Sequence, residues 1–174
     1  YKAELESFCN IYLYAAATKN MAGEYLSEIG SLAESEMVVG LTDDGLPIAN
    51  SYIMRRTLEY AKTFDLVVAQ HAEDLNLSNK GAINEGEVSE ELGINGIPNA
   101  SESIIVARDI ELVRLTGARY HVLHVSARET LDYIRMAKKM GLPVTAEACP
   151  HHFTLTDKAI CLLYTSPSPR DLYR

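Results

Sequence analysis

The chain contains no tryptophan, only three phenylalanines and only three cysteines, Cys9, Cys149 and Cys161. Those cysteines show neither metal-ligand spacing nor a disulfide framework, which excludes a stapled secreted scaffold. A reducing, cytoplasmic setting is the expectation. Basic residues are also short: 16 Lys and Arg stand against 24 Asp and Glu, for a net charge of −8. That balance argues against a surface for nucleic acid or an anionic membrane. No apolar run approaches the roughly 18 residues that a membrane-spanning helix needs, and no signal-peptide pattern opens the chain. What remains is ordinary globular composition over 174 residues, enough for one domain of typical size.

The C-terminal stretch has no hydrophobic periodicity. CLLYTSPSPRD, from Cys161 to Asp171, brings a sudden Ser/Pro bias. Back-translated, it can be written as an in-frame read of the transposase adapter used in sequencing libraries. The alternative is a native Pro-rich tail. Residues 161–174 are therefore set apart from fold reasoning as an expected adapter read-through, and 1–160 are treated as native. The native chain is then expected to run on past residue 160.

Within 1–160, strand-like and helix-like segments alternate, as in parallel α/β architecture. Strands are expected at 11–17, 37–42, 66–70, 120–125 and 143–148. Helical spacing of Met54, Leu58 and Ala61 marks a helix over about 50–64. Val106, Ile110 and Val113 mark another over about 101–116. After the fourth strand, Ser126 and Glu129 have capping-box spacing, Leu131, Ile134 and Ala137 supply an apolar face, and Gly141 and Pro143 stop the helix. Residues 74–100 break this cadence with Asn, Gly and Ser punctuation around an acidic, helical patch at 85–92. A long insertion after a strand is where α/β barrels put active-site loops. Five strands without closure point to the central part of a (β/α)8 TIM-type barrel, incomplete at both ends.

Three of the expected strands end in groups able to hold a metal. MVVGLTDDG ends in Asp43-Asp44-Gly45, VVAQHAED reaches His71, and YHVLHVS reaches His124. In a parallel barrel all C-terminal strand ends share one face, so separate segments can converge there. Imidazoles with a carboxylate suit Zn²⁺ and related divalent ions. Each signal has a plainer reading, however. Asp-Asp-Gly also fits a solvated turn, and a strand-end histidine also fits a hydrogen-bonded structural residue. Glu73 and Asp74 also fit solvent-facing loop acids. His121 and His124 are an odd number of residues apart, so in a strand only one of them faces the barrel interior. Position at the strand end favours His124. His151 and His152 follow Pro150 and fit loop structure, a hydrogen-bonding support for metal ligands, or ligation itself.

The strings HAEDLNLSNKGAINEGEVSEELGINGIP, ESIIVARD, TGARYHVLHVS, GLPVTAEACPHH and TDDGLPIANSYIMRRTLEYA together carry a resemblance. They are similar to class I, bacterial-type dihydroorotase of the amidohydrolase superfamily over nearly all of residues 11–160. The resemblance implies a barrel with one or two zinc ions at its strand ends, and two in the complete enzyme. It implies Asp44 as the metal-bridging carboxylate, with His71 and His124 as ligands of the second zinc. The implied reaction interconverts N-carbamoyl-L-aspartate and L-dihydroorotate in pyrimidine biosynthesis.

The family's His-x-His metal motif would precede Tyr1, and its catalytic aspartate would follow Ile160. No catalytic residue is therefore assigned within the chain, and the segment is expected to be inactive alone. Two alternatives stand beside this reading. Allantoinase- or hydantoinase-type cyclic amidases use a carbamylated lysine as the bridge, but 37–42 holds no lysine and Asp44 supplies a carboxylate. Lys19 lies one strand earlier. A non-catalytic scaffold subunit of aspartate carbamoyltransferase would lose metal ligands, whereas all three positions are intact here. Association with that enzyme or a homodimer is the expected assembly.

Overall fold

The computed structural model describes residues 6–160, so the reading of the 161–174 tail lies outside the described residues. The chain opens with β1 (Leu13–Ala16), a short helix α1 (Ile29–Leu32), β2 (Val38–Thr42), α2 (Ser51–Thr63) and β3 (Val67–Gln70). The insertion follows: α3 (Leu75–Ser78), β4 (Ile83–Asn84), α4 (Glu87–Leu92) and β5 (Gly96–Ile97). The regular pattern resumes with α5 (Ala100–Thr116), β6 (Tyr120–Val122), α6 (Arg128–Lys139), β7 (Val144–Ala146) and α7 (Pro150–Thr154). Five strands form one parallel sheet in the order β1-β2-β3-β6-β7, while β4 and β5 pair separately. Among the described residues, no helix is long and apolar enough to cross a membrane.

Parity along the strands decides what meets the helices. Leu41, Val68, Tyr120, Val122 and Val144 are buried on the helix-covered face. Against them α2 lays Ile53, Met54, Leu58 and Ala61, and α5 lays Ile105, Val106, Ile110 and Val113. Burying such a side chain contributes roughly 1.5–3 kcal/mol, so this layer dominates the cohesion of the unit. The residues between them, Tyr14, Val67, His121 and Thr145, line the opposite face. Gly40 lies on that side too. A Cβ there would come within 2.5 Å of a Tyr14 ring carbon and 2.8 Å of the Val67 side chain, so only glycine lets the tyrosine ring lie across the strand.

The helix boundaries have local causes and one distant one. Asn50 caps α2 by accepting hydrogen bonds from the backbone N–H of Tyr52 and Ile53 at 2.9 and 3.3 Å. Gly141, at φ +71°, lets the chain turn away after α6, as expected. The expected capping box at Ser126 and Glu129 does not form. The N-cap falls one residue later, at Ala127, and the Ser126 N–H and hydroxyl both donate to Glu102 Oε2, at 2.9 and 2.6 Å. Ala127 N–H donates to the other Glu102 oxygen at 3.2 Å. Glu129 instead accepts a hydrogen bond from Asn99. The first turn of α5 thus anchors the segment that leads into α6. The buried face of α6 is also rotated from the expected one: Thr130, Ile134 and Ala137 are buried, and Leu131 is exposed.

Candidate metal centre

Strand β2 ends at Thr42, and the two aspartates that follow part company. Asp43 turns inward, is 2% exposed, and accepts hydrogen bonds from Ala17 N–H at 2.9 Å, Thr18 N–H at 3.0 Å and the Thr18 hydroxyl. It ties the end of β1 to the loop. Asp44 turns outward, towards the ends of β3 and β6.

Three ligand atoms meet there. His71 Nδ1 lies 3.2 Å from His124 Nε2 and 3.6 Å from Asp44 Oδ1, and His124 Nε2 lies 3.4 Å from the same oxygen. The centre of such a triangle is about 2.0 Å from each vertex, which matches zinc–nitrogen and zinc–oxygen bond lengths. Neutral imidazoles and a carboxylate are donors such an ion takes. The residues fit a divalent cation in both spacing and chemistry.

The orientation of each ligand has a local origin. His71 Nε2 lies 3.0 Å from Glu73 Oε2. That contact assigns the ring proton to Nε2 and leaves the Nδ1 lone pair facing the triangle. Burial opposes ionisation of Glu73, but hydrogen bonds with Ser78 and His71 outweigh it and hold the carboxyl below its ordinary range. Neither loop acid is therefore merely solvated. Asp74 caps α3, accepting from the N–H groups of Asn76 and Leu77 at 2.9 and 3.2 Å.

His124 reaches the triangle by a route that strand alternation does not describe. Strand β6 stops at Val122, and His124 itself has φ +32°, a conformation that side-chain-bearing residues rarely adopt. The turn releases the residue from strand parity. His121 keeps strand parity and faces the open side of the sheet, where its Nδ1 meets Thr145 Oγ1 at 2.8 Å and its Nε2 meets Glu147 at 3.3 Å. Such off-pattern backbone tends to sit at functional sites.

A second group forms from Cys149, His151 and His152, whose ligand-capable atoms lie within 4.8 Å of one another. The two imidazoles meet edge to face with centroids 4.3 Å apart. This group does not join the Asp44 triangle. A cleft of about 680 Å³ runs beside it, lined in part by Asn84, Asn99, Glu102, Ser126, His151 and His152.

A profile of the dihydro-orotase-like family matches residues 3–130. The chain belongs to that family. Dihydroorotases from Anaplasma phagocytophilum (strain HZ) and Ehrlichia chaffeensis (strain ATCC CRL-10679 / Arkansas) are 55% and 52% identical to it over 158 residues. The alignments cover 90% of this chain and 35% of each relative, so the chain spans about a third of the length of those family members. Among solved structures, the L-hydantoinase (dihydropyrimidinase) from Arthrobacter aurescens superposes with a TM-score of 0.67 at 18% identity, over 86% of this chain and 34% of that one. The dihydropyrimidinase from Brevibacillus agri NCHU1002 gives 0.64 at 22% identity, over 86% and 33%. At these identities the likeness concerns the fold alone, and that fold is part of a larger α/β barrel.

Proposed function

We propose that the chain is the central segment of a zinc-dependent dihydroorotase, acting on N-carbamoyl-L-aspartate and L-dihydroorotate in pyrimidine biosynthesis. On this reading 1–160 is barrel and 161–174 is adapter-derived. The observation that carries it is the Asp44–His71–His124 triangle at the strand ends of a family member. The substrate rests on the relatives that are 55% and 52% identical and bear that name. A hydantoinase-type centre is disfavoured because β2 holds no lysine and Asp44, two residues beyond its end, supplies a carboxylate instead.

Two neutral imidazoles and one carboxylate would hold the cation with a donor set of charge −1, which leaves a divalent ion net positive. Bound zinc supplies Lewis acidity, lowering the pKa of a water towards ~7 and polarising a carbonyl oxygen. His71 and His124 fix where that positive charge sits. Glu73 keeps the His71 proton away from the ligating nitrogen. Asp44 contributes Oδ1 to the triangle, and its carboxylate is the group that would be shared with a second ion.

A full-length protein carrying this segment should hydrolyse dihydroorotate, lose activity on chelation and recover it with Zn²⁺. In that protein His124→Ala should lower turnover by orders of magnitude, because metal-supplied stabilisation is worth several kcal/mol. The far-UV circular dichroism should be unchanged. Normal metal stoichiometry with near-normal turnover in the variant would refute the role given to His124.

A further inference from the structure

The three ligand-bearing segments are joined a second time, on the helix-covered side of the sheet. Asp109 of α5 is fully buried there. Its Oδ2 accepts hydrogen bonds from Gln70 Nε2 at 3.2 Å and from the Tyr120 hydroxyl at 2.8 Å. Its Oδ1 accepts from Arg108 Nε and Nη2 at 2.9 and 2.6 Å. Gln70 directly precedes His71, and Tyr120 opens the strand that leads to His124.

The third segment is reached through the same partners. Gln70 Oε1 accepts from Ile48 N–H at 3.2 Å, and its amide donates to Ile48 O at 3.4 Å. Arg108 Nη2 donates to Ile48 O at 2.9 Å, and Nη1 donates to Ala49 O. Ile48 and Ala49 close the loop that carries Asp44. One end of that loop is anchored by Asp43, and the other by this network.

Burial holds the Asp109 carboxyl above its ordinary range, although Arg108, Tyr120 and Gln70 pull it down. The N–H groups of Arg108 and Gln70 can only donate to it, and the Arg108 guanidinium beside Oδ1 favours the carboxylate form against that burial. A buried carboxylate is a poor route to stability, since apolar replacements of buried ion pairs are often neutral or stabilising. Its effect is better sought in what it aligns. Ligand sites work when side chains are held within about 0.5 Å of the productive geometry.

We propose that Asp109 is a positioning residue for the metal centre. Through Gln70, Arg108 and Tyr120 it holds the Asp44 loop against the ends of β3 and β6, so that the three ligand atoms meet before an ion arrives. The proposal rests on the metal reading of that triangle.

The test uses the full-length protein carrying this segment, with Asp109→Asn, Tyr120→Phe and a control, Thr57→Val. Thr57 is buried in α2 and its hydroxyl bonds only back to Ile53 O of its own helix turn among the described residues. Zn²⁺ affinity is measured by competition with a chromophoric chelator, and ligand geometry by the visible absorption of the Co²⁺ form. Both are taken at a temperature where circular dichroism shows every variant folded. Asp109→Asn should weaken Zn²⁺ binding roughly tenfold, the lower end of what loss of a ligand-orienting partner brings, and should alter the Co²⁺ spectrum. Thr57→Val should leave both unchanged. Parent-like affinity and spectrum in folded Asp109→Asn, or an equal loss in Thr57→Val, would overturn the proposal. If Asp109→Asn does not fold, Tyr120→Phe decides: a smaller loss with an altered spectrum supports it, and parent-like values overturn it. A parent that binds no metal would instead overturn the reading of the triangle, and this proposal with it.

Discussion

Two groups of three ligand-capable side chains lie among the described residues, and they come together for different reasons. Cys149, His151 and His152 belong to one short stretch of chain, so their closeness follows from connectivity. Asp44, His71 and His124 come from three strand ends, 27 and 53 residues apart along the chain. Nothing local brings them within 3.2–3.6 Å. It takes a parallel sheet, a left-handed turn at His124 and a loop pinned at both ends. Convergence against the separation of the chain is the more informative kind of proximity. The first group could arise from sequence composition alone, and the second could not.

The contrast is open to direct attack, and the largest effect should come from the carboxylate behind His71. Glu73→Gln replaces the carboxylate that fixes the imidazole tautomer with a neutral amide, a weaker acceptor that can also turn its NH2 to the ring, so metal affinity should fall about 10- to 100-fold. Cys149→Ser, assayed in parallel for bound metal by elemental analysis, should leave stoichiometry and affinity at the triangle unchanged. A reversed pattern would mean that the two groups have been assigned the wrong way round.

A middle-sized effect is expected where the helix layer is tied together. Glu102→Ala leaves the N–H groups of Ser126 and Ala127, which lead into α6, and the Ser126 hydroxyl without their acceptor, and loss of such hydrogen bonds to a charged group costs on the order of 1–3 kcal/mol. Thermal or urea denaturation should show that loss while metal affinity stays at the parental value. If affinity fell as far as in Glu73→Gln, the triangle would depend on the helix ends and not only on its own loop and strands.

The smallest effect should come from Glu59, remote from both groups. The hydrogen bond from Arg55 holds its carboxyl below the ordinary range, although burial opposes this, with Arg56 adding to the lowering. A folded-state pKa below the unfolded one contributes stability above the ordinary value of 4.5, and that contribution is lost as pH falls through the folded value. Melting curves of parent and Glu59→Gln should therefore differ slightly at neutral pH and merge in acid. The pair is solvent-exposed, so added salt should shrink the difference too. A difference that persisted at low pH would assign Glu59 some role other than its ion pairs.

Much of this architecture can be read from the sequence because its signals are local. Apolar parity marks all five main strands, and the 3.6-residue spacing of Met54, Leu58 and Ala61 marks α2. The strand ends at Asp44, His71 and His124 follow from where those runs stop. What escaped was set by distant parts of the chain. Ser126 and Glu129 have the right spacing for a capping box, but Glu102, 24 residues upstream of Ser126, takes the donors first. The two-residue strands β4 and β5 are too short to show a period. The odd-offset argument for His121 and His124 assumes strand geometry through both, and the backbone leaves that geometry at His124. The Asp109 cluster leaves only one trace in the sequence, an aspartate on the apolar face of a helix, at position 109 between Val106, Ile110 and Val113.

The neighbouring aspartates after β2 carry a lesson for anyone who probes this protein by substitution. Asp43 and Asp44 are chemically identical and adjacent, yet one is anchored inward on the end of β1 and the other faces the imidazoles. Exchange of their roles would require the loop to shift by one residue, which would undo both. In an activity-based mutational scan the two would show the same deep loss and be scored alike. Only a readout of folding would separate them, since Asp43→Ala should loosen the loop and lower the melting temperature, whereas Asp44→Ala should leave a well-folded protein with a depleted centre. Equal sensitivity at adjacent positions is therefore no sign of equal purpose.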